Sequence, residues 1–362
     1  MAKSADYKLG PNTYPRGWFV VAESGELTTE PMAISFFGED LALFRGASGK
    51  PVLLDAYCAH MGTHLADSKS SMLVKNNQQI EGDSIRCPYH GWRYNAQGHV
   101  DDIPYSNGPC PKSASIKSYP VIDNMGCVMA WYDPDDREPD YEAPKLPEWD
   151  DPQWVRWELD HLGELNIHPQ EIIDNIVDVQ HLGPTHGAPS EYFENEIRDH
   201  VCIQRQGGPM QLYETYLNTS TWYTGPGILL SKQEFAGMVI FELIANTPVE
   251  DGVVKCWHGC LVKGSAEIAT EADIVMAREA QAGALEAFSA DFNIWQNKRP
   301  ALKIMQLKTD GPFRTGRKWY SQFYVSPDDV QAIQQETNGM HLTEGLQTSE
   351  QAGQNIDDGL TF

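Results

Sequence analysis

Cys58-Ala59-His60-Met61-Gly62 and Cys87-Pro88-Tyr89-His90-Gly91-Trp92 are two turn-like segments that each pair one cysteine with one histidine, in C-x-H and C-x-x-H spacing. Two thiolates and two imidazoles are the donor set of a histidine-ligated 2Fe-2S cluster, in which one iron takes both sulfurs and the other takes both nitrogens. Two ferric ions, two sulfides and two thiolates sum to zero charge, so an electron enters more readily than into a four-thiolate cluster. Apolar, strand-like residues from Pro51 to Tyr57 lead into the first segment, and two such loops can pinch a cluster from opposite sides. A Cys2His2 set also suits tetrahedral zinc, but zinc fingers pair cysteine with cysteine and histidine with histidine, whereas here each loop supplies one of each. Cys58, His60, Cys87 and His90 are accordingly read as cluster ligands.

A chain of 362 residues exceeds the size at which one core stops growing, so two domains are expected. Hydrophobic residues at 41% mark it as globular. The remaining five of its seven cysteines (Cys110, Cys127, Cys202, Cys256, Cys260) are too scattered for a disulfide framework and read as thiols in a reducing compartment. Met1 to Asn12 lacks the apolar core of a signal peptide, and no apolar run approaches bilayer-spanning length, so a cytoplasmic protein without a membrane span is expected. The formal charge of −24 repels nucleic acid and anionic lipid, which excludes both as general partners. Against it, Lys298 to Lys318 carries seven Lys or Arg and one Asp, read either as a docking or subunit surface or as ordinary solvated surface.

From Gly17 to Trp131 the pattern is one of short strands broken by turn residues: Trp18 to Ala22, Leu41 to Phe44, Pro51 to Tyr57 and Cys127 to Trp131. Residues 133 to 152 hold five prolines and nine acids and read as an interdomain linker, which sets expected domains at 15–140 and 153–345. A helix-compatible run follows at Pro169 to Leu182, then β-rich stretches between 212 and 263 and a long helix from Ala266 to Asn297, ended before Pro300. A last strand is expected at Trp319 to Val325, followed beyond Ser326 by a polar tail.

The second chemical constellation begins at Asp174. His181 and His186 lie five apart, which on an unbroken helix turns them through about 140°. Gly183-Pro184 offers a break between them, because proline lacks an amide donor and clashes with the preceding turn. A ferrous oxygenase site needs a third ligand, usually a carboxylate, with positions left for O2 and substrate. Asp291 is the candidate: it shares a helical face with Leu285, Phe288, Phe292 and Trp295, where a carboxylate is costly unless paired with a cation, although at the stripe's edge it would simply reach water. Asp178, three residues before His181, is positioned to hold that imidazole and to carry a hydrogen-bonded path. Asn175, a turn earlier, is either close to the open metal positions or a surface amide. Tyr216, Trp222, Tyr223, Ile228, Leu229 and Phe241 are candidates for pocket walls, and core packing explains them equally well.

Taken together, PRGWFVVA at 15–22, CAHMGTHL at 58–65, CPYHGWRY at 87–94, DNIVDVQH at 174–181, FSADFNIW at 288–295 and WYSQFYV at 319–325 resemble the catalytic subunits of Rieske non-haem iron oxygenases. The last two stretches point to the steroid branch, the oxygenase components of 3-ketosteroid 9α-hydroxylases. The resemblance implies an α+β fold: an N-terminal all-β Rieske 2Fe-2S domain, then a catalytic domain with a curved antiparallel sheet around a long helix, helix-grip-like. It implies the cluster on Cys58, His60, Cys87 and His90, mononuclear Fe(II) on His181, His186 and Asp291, and Asp178 bridging cluster and iron between neighbouring subunits of a homotrimer. It further implies a terminal monooxygenase taking electrons from NAD(P)H through a separate reductase, with O2 and a small apolar, polycyclic substrate as reactants. The competing readings are O-demethylation, sterol desaturation or hydroxylation of a smaller aromatic within the same chemistry, a Rieske electron carrier, and a zinc-stabilised interaction protein. One departure is the 26-residue segment between His60 and Cys87, whose excess at Ser68 to Gln79 reads as a polar hairpin extension near the cluster.

Overall fold

The computed structural model describes residues 2–211 and 214–354. Residue 1, residues 212–213 at the start of the β-rich stretch and residues 355–362 of the tail lie outside the described residues. The chain divides into two compact units, Phe19–Tyr141 and the described parts of Met1–Trp18 with Glu142–Phe362. The class is α+β, with strands dominating both units.

In the first unit, Met32–Phe36, Glu39–Arg45, Pro51–Asp55 and Ser118–Tyr119 form one four-stranded sheet, and Ile80–Glu81, Ser84–Arg86, Arg93–Tyr94 and Val100–Asp102 form another. Each sheet launches one Cys-His loop, after Pro51–Asp55 and after Ser84–Arg86 respectively. Phe44, Leu54, Leu65, Ile85 and Tyr94 share a buried core with Cys58 and Cys87, so the sulfurs sit at the sealed end of the loops. The segment expected as a polar hairpin is different: Met72–Lys75 is a single helical turn, capped by the Ser71 hydroxyl accepting from Val74 N at 3.3 Å. Serine ahead of an apolar pair favours a cap over a strand. The turn also packs beside the second loop, since a Cβ on Gly91 would meet Leu73 Cδ1 at 3.9 Å.

The second unit is built on a nine-stranded antiparallel sheet. Along it run Trp154–Val155, Val253–Lys263, Met238–Glu250, Ile228–Phe235, Thr215–Thr224, Val201–Met210, Tyr192–Arg198 and Gly339–Leu342, while Asp160–Leu165 also pairs with Val253–Lys263. One side packs on the long helix, which spans Glu271–Asn297. Its start falls five residues later than expected because Thr270 and Asp273 close a reciprocal capping box.

Three expectations are corrected here. Trp319 to Val325 is not a strand: Phe313–Ser321 is a helix continued by a turn at Gln322–Tyr324. Trp319 with Phe323 and Tyr320 with Tyr324 repeat every four residues, a helical period that aromatic richness disguises as β. The stretch beyond Ser326 is structured, with a helix at Pro327–Thr337 and Gly339–Leu342 completing the sheet beside Tyr192–Arg198. The run from Pro169 is not one helix: Pro169–Ile173 tightens to a turn at Asp174–Val177, Asp178 is extended, and a new helix spans Leu182–His186. The break thus precedes His181. Pro184 lies in the first turn of the new helix, where a missing amide hydrogen leaves no bond unmade.

Candidate metal centres

The two Cys-His loops share one hydrogen-bonding pattern. Cys58 O accepts from Gly62 N at 2.8 Å and Cys58 N donates to Thr63 O at 3.0 Å; Cys87 O accepts from Gly91 N at 3.0 Å and Cys87 N donates to Trp92 O at 2.8 Å. Gly62 and Gly91 adopt φ of 69° and 76°, left-handed values that a side chain would disfavour at both closures. The loops bring the His60 and His90 rings to 4.7 Å between centroids, and Trp92 stacks on His60 at 4.5 Å. The Tyr94 hydroxyl lies 3.1 Å from Cys58 Sγ and accepts from Ala59 N at 2.9 Å. The Cys58 thiol is held well below its ordinary value, foremost by hydrogen bonding with Cys87 and then by Tyr94 and the amides of His60 and Met61, against the opposing effect of burial. The same hydrogen bond pushes the Cys87 thiol well above its ordinary value, so the two sulfurs titrate as a pair. Cys58 and Cys87 hydrogen-bond to each other and the His60 and His90 rings meet edge to face, so two sulfurs and two imidazoles come together as the donor set of a binuclear centre. Tyr94 and Trp92 were not singled out from sequence, although both sit inside the quoted motif.

The second constellation assembles from elements more than a hundred residues apart. His181, His186 and Asp291 each present a ligand atom, and these atoms lie within 4.8 Å of one another. His186 Nε2 is 3.4 Å from Asp291 Oδ2, and the two imidazoles are 5.2 Å apart and nearly perpendicular. Asp291 is 7% exposed, between buried Phe288 and Trp295, so the edge-of-stripe reading fails: it is a sequestered carboxylate. A buried anion among aromatic rings calls for a cation, and two imidazoles plus one carboxylate are the donor set of an open-sided divalent metal site. His181 Nδ1 lies 2.6 Å from Asp178 O, so a proton there leaves Nε2 as the available lone pair. Burial holds the His181 pKa below its ordinary value, favouring the neutral ring that binds metal, with Asp178 and Asp291 opposing. Asp178 therefore orients the ring through its carbonyl; its carboxylate stands farther off, Oδ2 at 3.8 Å, with burial raising its pKa. Asn175 is half-buried in the turn just before, its carbonyl accepting from Asp178 N at 3.2 Å.

What fixes this ligand-bearing segment was invisible in the sequence. Arg317 forks onto Asp174, Nε to Oδ1 at 3.0 Å and a terminal nitrogen to Oδ2, while Gln170 Nε2 donates to Oδ1 at 2.9 Å. Gly311, at φ 109°, approaches so closely that a Cβ would stand 1.8 Å from Val177 O. Next to it, Asp310 O accepts from Val179 N at 3.4 Å. Apart from the Gln170–Asp174 bond, these contacts join positions over 130 residues apart, and no local spacing announces them. Four charges of the basic stretch are also internally paired: Lys298 with Glu171, Lys308 with Glu344, Arg317 with Asp174 and Lys318 with Glu336. Of the proposed pocket walls, Tyr223 and Leu229 join the core beneath the long helix, whereas Trp222 and Phe241 pack together elsewhere, Phe241 against Trp154.

Residues 17–120 match the Rieske [2Fe-2S] domain and residues 130–324 match the 3-ketosteroid 9alpha-hydroxylase C-terminal domain. Similar proteins include a 3-ketosteroid-9-alpha-monooxygenase oxygenase component from Rhodococcus rhodochrous, 29% identical across 91% of this chain and 88% of its own length. Cholesterol 7-desaturase of Caenorhabditis elegans is 29% identical across 87% of this chain and 78% of its own length. Among solved structures, dicamba monooxygenase bound to dicamba aligns with a TM-score of 0.64 at 17% identity, covering 89% of this chain and 98% of that one. Pseudomonas putida CBB5 NdmB aligns with a TM-score of 0.66 at 17% identity, covering 90% and 96%. No helix among the described residues is long and apolar enough to cross a membrane. With more than half its length matched by the one domain and a cluster-binding domain ahead of it, the chain belongs to the family of the 3-ketosteroid 9α-hydroxylase C-terminal domain, joined to a Rieske [2Fe-2S] domain.

Proposed function

We propose that this oxidoreductase is the terminal oxygenase component of a Rieske monooxygenase system, hydroxylating an apolar, polycyclic, 3-ketosteroid-like substrate with O2. The observation that carries the proposal is the convergence of His181, His186 and Asp291 in a chain that also holds a Rieske domain. Electrons come from NAD(P)H by way of a separate reductase, and the working assembly is a cytoplasmic homotrimer. The domains are 15–140 for the cluster and 153–345 for catalysis. Cys58, His60, Cys87 and His90 hold the cluster, and His181, His186 and Asp291 hold ferrous iron. Bound, these two groups supply one-electron storage and dioxygen activation respectively.

The chain's own residues supply position and environment. Asp178 fixes the His181 tautomer through its carbonyl, and its carboxylate would bridge the cluster of one subunit and the iron of its neighbour. Asp291, on the long helix, would add one negative charge to the two imidazoles, a donor set that would hold ferrous iron with positions left for O2. Asn175, in the turn just before Asp178, is a further residue assigned to this centre. Phe288, Phe292 and Trp295 line the helix next to Asp291 and exclude water from the reacting centre.

A second reading, sterol desaturation, is favoured by the similarity to cholesterol 7-desaturase. One experiment separates the two: iron-replete protein with a generic reductase is given a panel of 3-ketosteroids, side-chain thioesters included, and products are weighed by mass spectrometry. Hydroxylation adds one oxygen atom and desaturation removes two hydrogens. Absence of substrate-dependent O2 uptake across steroids would refute the proposal.

A further inference from the structure

Where the sheet packs on the long helix, a face that burial ordinarily makes apolar carries a line of polar side chains. Strand register sets Asn195 opposite Gln204, Gln204 opposite Thr221, Thr221 opposite Ser231 and Ser231 opposite Glu242, one row straight across five strands. Two positions along those strands, Ile197, Cys202, Tyr223, Leu229 and Ile244 pack with Phe288 and Trp295, and the period of two places the row on that same side. All five polar residues are under a tenth exposed.

The ends of the row meet the two elements that bear the ligand candidates. Asn195 Nδ2 donates to Ile176 O at 2.8 Å, in the segment running on to Asp178 and His181. At the far end Glu242 Oε1 lies 3.0 Å from His258 Nε2, and the His258 ring stacks on Phe288, one turn before Asp291. His258 Nδ1 is in turn 2.8 Å from Asp160 Oδ2.

Hydrogen bonding within the row is incomplete. Asn195 Oδ1 is sealed and unpaired among the described residues, and the Gln204 side chain is 6% exposed. Thr221 Oγ1 and Ser231 Oγ, 2.7 Å apart, share one proton and leave the other hydroxyl's proton free. A buried polar group left unpaired is costly, so an unmet acceptor and a spare hydroxyl proton in one register line of polar side chains indicate a surface that meets a polar ligand group.

We propose that Gln204, Thr221, Ser231 and Glu242 recognise a hydroxyl group on the substrate, so that the preferred polycycle is a hydroxylated one. This rests on the oxygenase reading above and narrows its substrate class. A hydroxyl both donates and accepts, as Gln204 and the Thr221-Ser231 pair require, and its proton suits the acceptor-only Glu242. A ketone would set acceptor against Glu242. A carboxylate would meet two carboxylates, Glu242 and Asp160, flanking a single imidazole.

The test is equilibrium dialysis of the iron-loaded protein, without reductase, against 3-ketosteroids bearing one hydroxyl at carbon 7, 11, 12 or 17, each with its deoxy partner, and against 1-naphthol with naphthalene. At least one hydroxyl compound is expected to bind roughly 10- to 100-fold tighter than its partner, the range of a hydrogen bond to a charged group. Gln204→Leu and Glu242→Gln are expected to erase that ratio while the deoxy compound binds as before, a split that mere loss of structure would not produce. Equal binding within every pair, or loss of both members alike in the variants, overturns the proposal. Preference for naphthol with no steroid bound upholds the hydroxyl surface and overturns the steroid reading, and no hydroxyl compound bound overturns both.

Discussion

Arg317→Leu is expected to destabilise the catalytic unit by about 3–5 kcal/mol, the cost of removing one partner from a buried ion pair. Asp174 is 7% exposed and takes a two-pronged contact from Arg317 plus one bond from Gln170. Burial already pushes the Asp174 carboxyl upward and the guanidinium opposes it, so without Arg317 the carboxyl must protonate or remain an unpaired buried charge. In urea, a slope of about 2 kcal/mol per molar turns a loss of about 4 kcal/mol into a midpoint lower by about 2 M. Unfolding followed by far-ultraviolet circular dichroism measures it. The double variant Asp174→Leu with Arg317→Leu is expected to recover most of the loss, because both charges leave together. A midpoint within about 0.5 M of wild type for Arg317→Leu, or a double variant no better than the single one, would refute the assignment of this pair as the clamp on the ligand-bearing segment.

Tyr94→Phe removes the hydroxyl 3.1 Å from Cys58 Sγ and is expected to lower the cluster's midpoint potential, read by potentiometric electron paramagnetic resonance; an unchanged potential contradicts the contact. Asp291→Asn is expected to reduce bound iron from about three atoms per chain to about two by elemental analysis, with the reduced-cluster spectrum intact. His168, held by burial down to about 4 and 3.0 Å from Ser4 Oγ, stays neutral in the folded protein. Its folded pKa lies below the unfolded value of about 6.5, so its contribution is complete above that pH and is lost as pH falls toward 4. Wild type should therefore lose about 3 kcal/mol more than His168→Asn over that interval, and parallel stability curves would count against it.

The N-terminal segment illustrates where sequence reading runs out. Residues 2–14 carry no strong pattern, yet Ser4 reaches His168 and Tyr7 donates to Glu171. Those contacts depend on partners over 150 residues away, and composition does not encode them. Trp319 to Val325 failed for a different reason: aromatic residues favour strands on average, and only their four-residue repeat, set by packing, distinguishes the helix.

By itself the sequence determined the chemistry on offer: cysteine and histidine at fixed short spacing, two histidines beside a chain break, and a carboxylate on an apolar helical stripe. Ligand type and local spacing are properties of neighbours along the chain, and a single strand of text records them. Tertiary structure alone decided that His181, His186 and Asp291 converge, that Arg317 and Gly311 hold their segment, and that Asn195, Gln204, Thr221, Ser231 and Glu242 fall into one line. Register between strands and close approach between distant helices arise from packing the whole core at once, and that information is carried by no one segment.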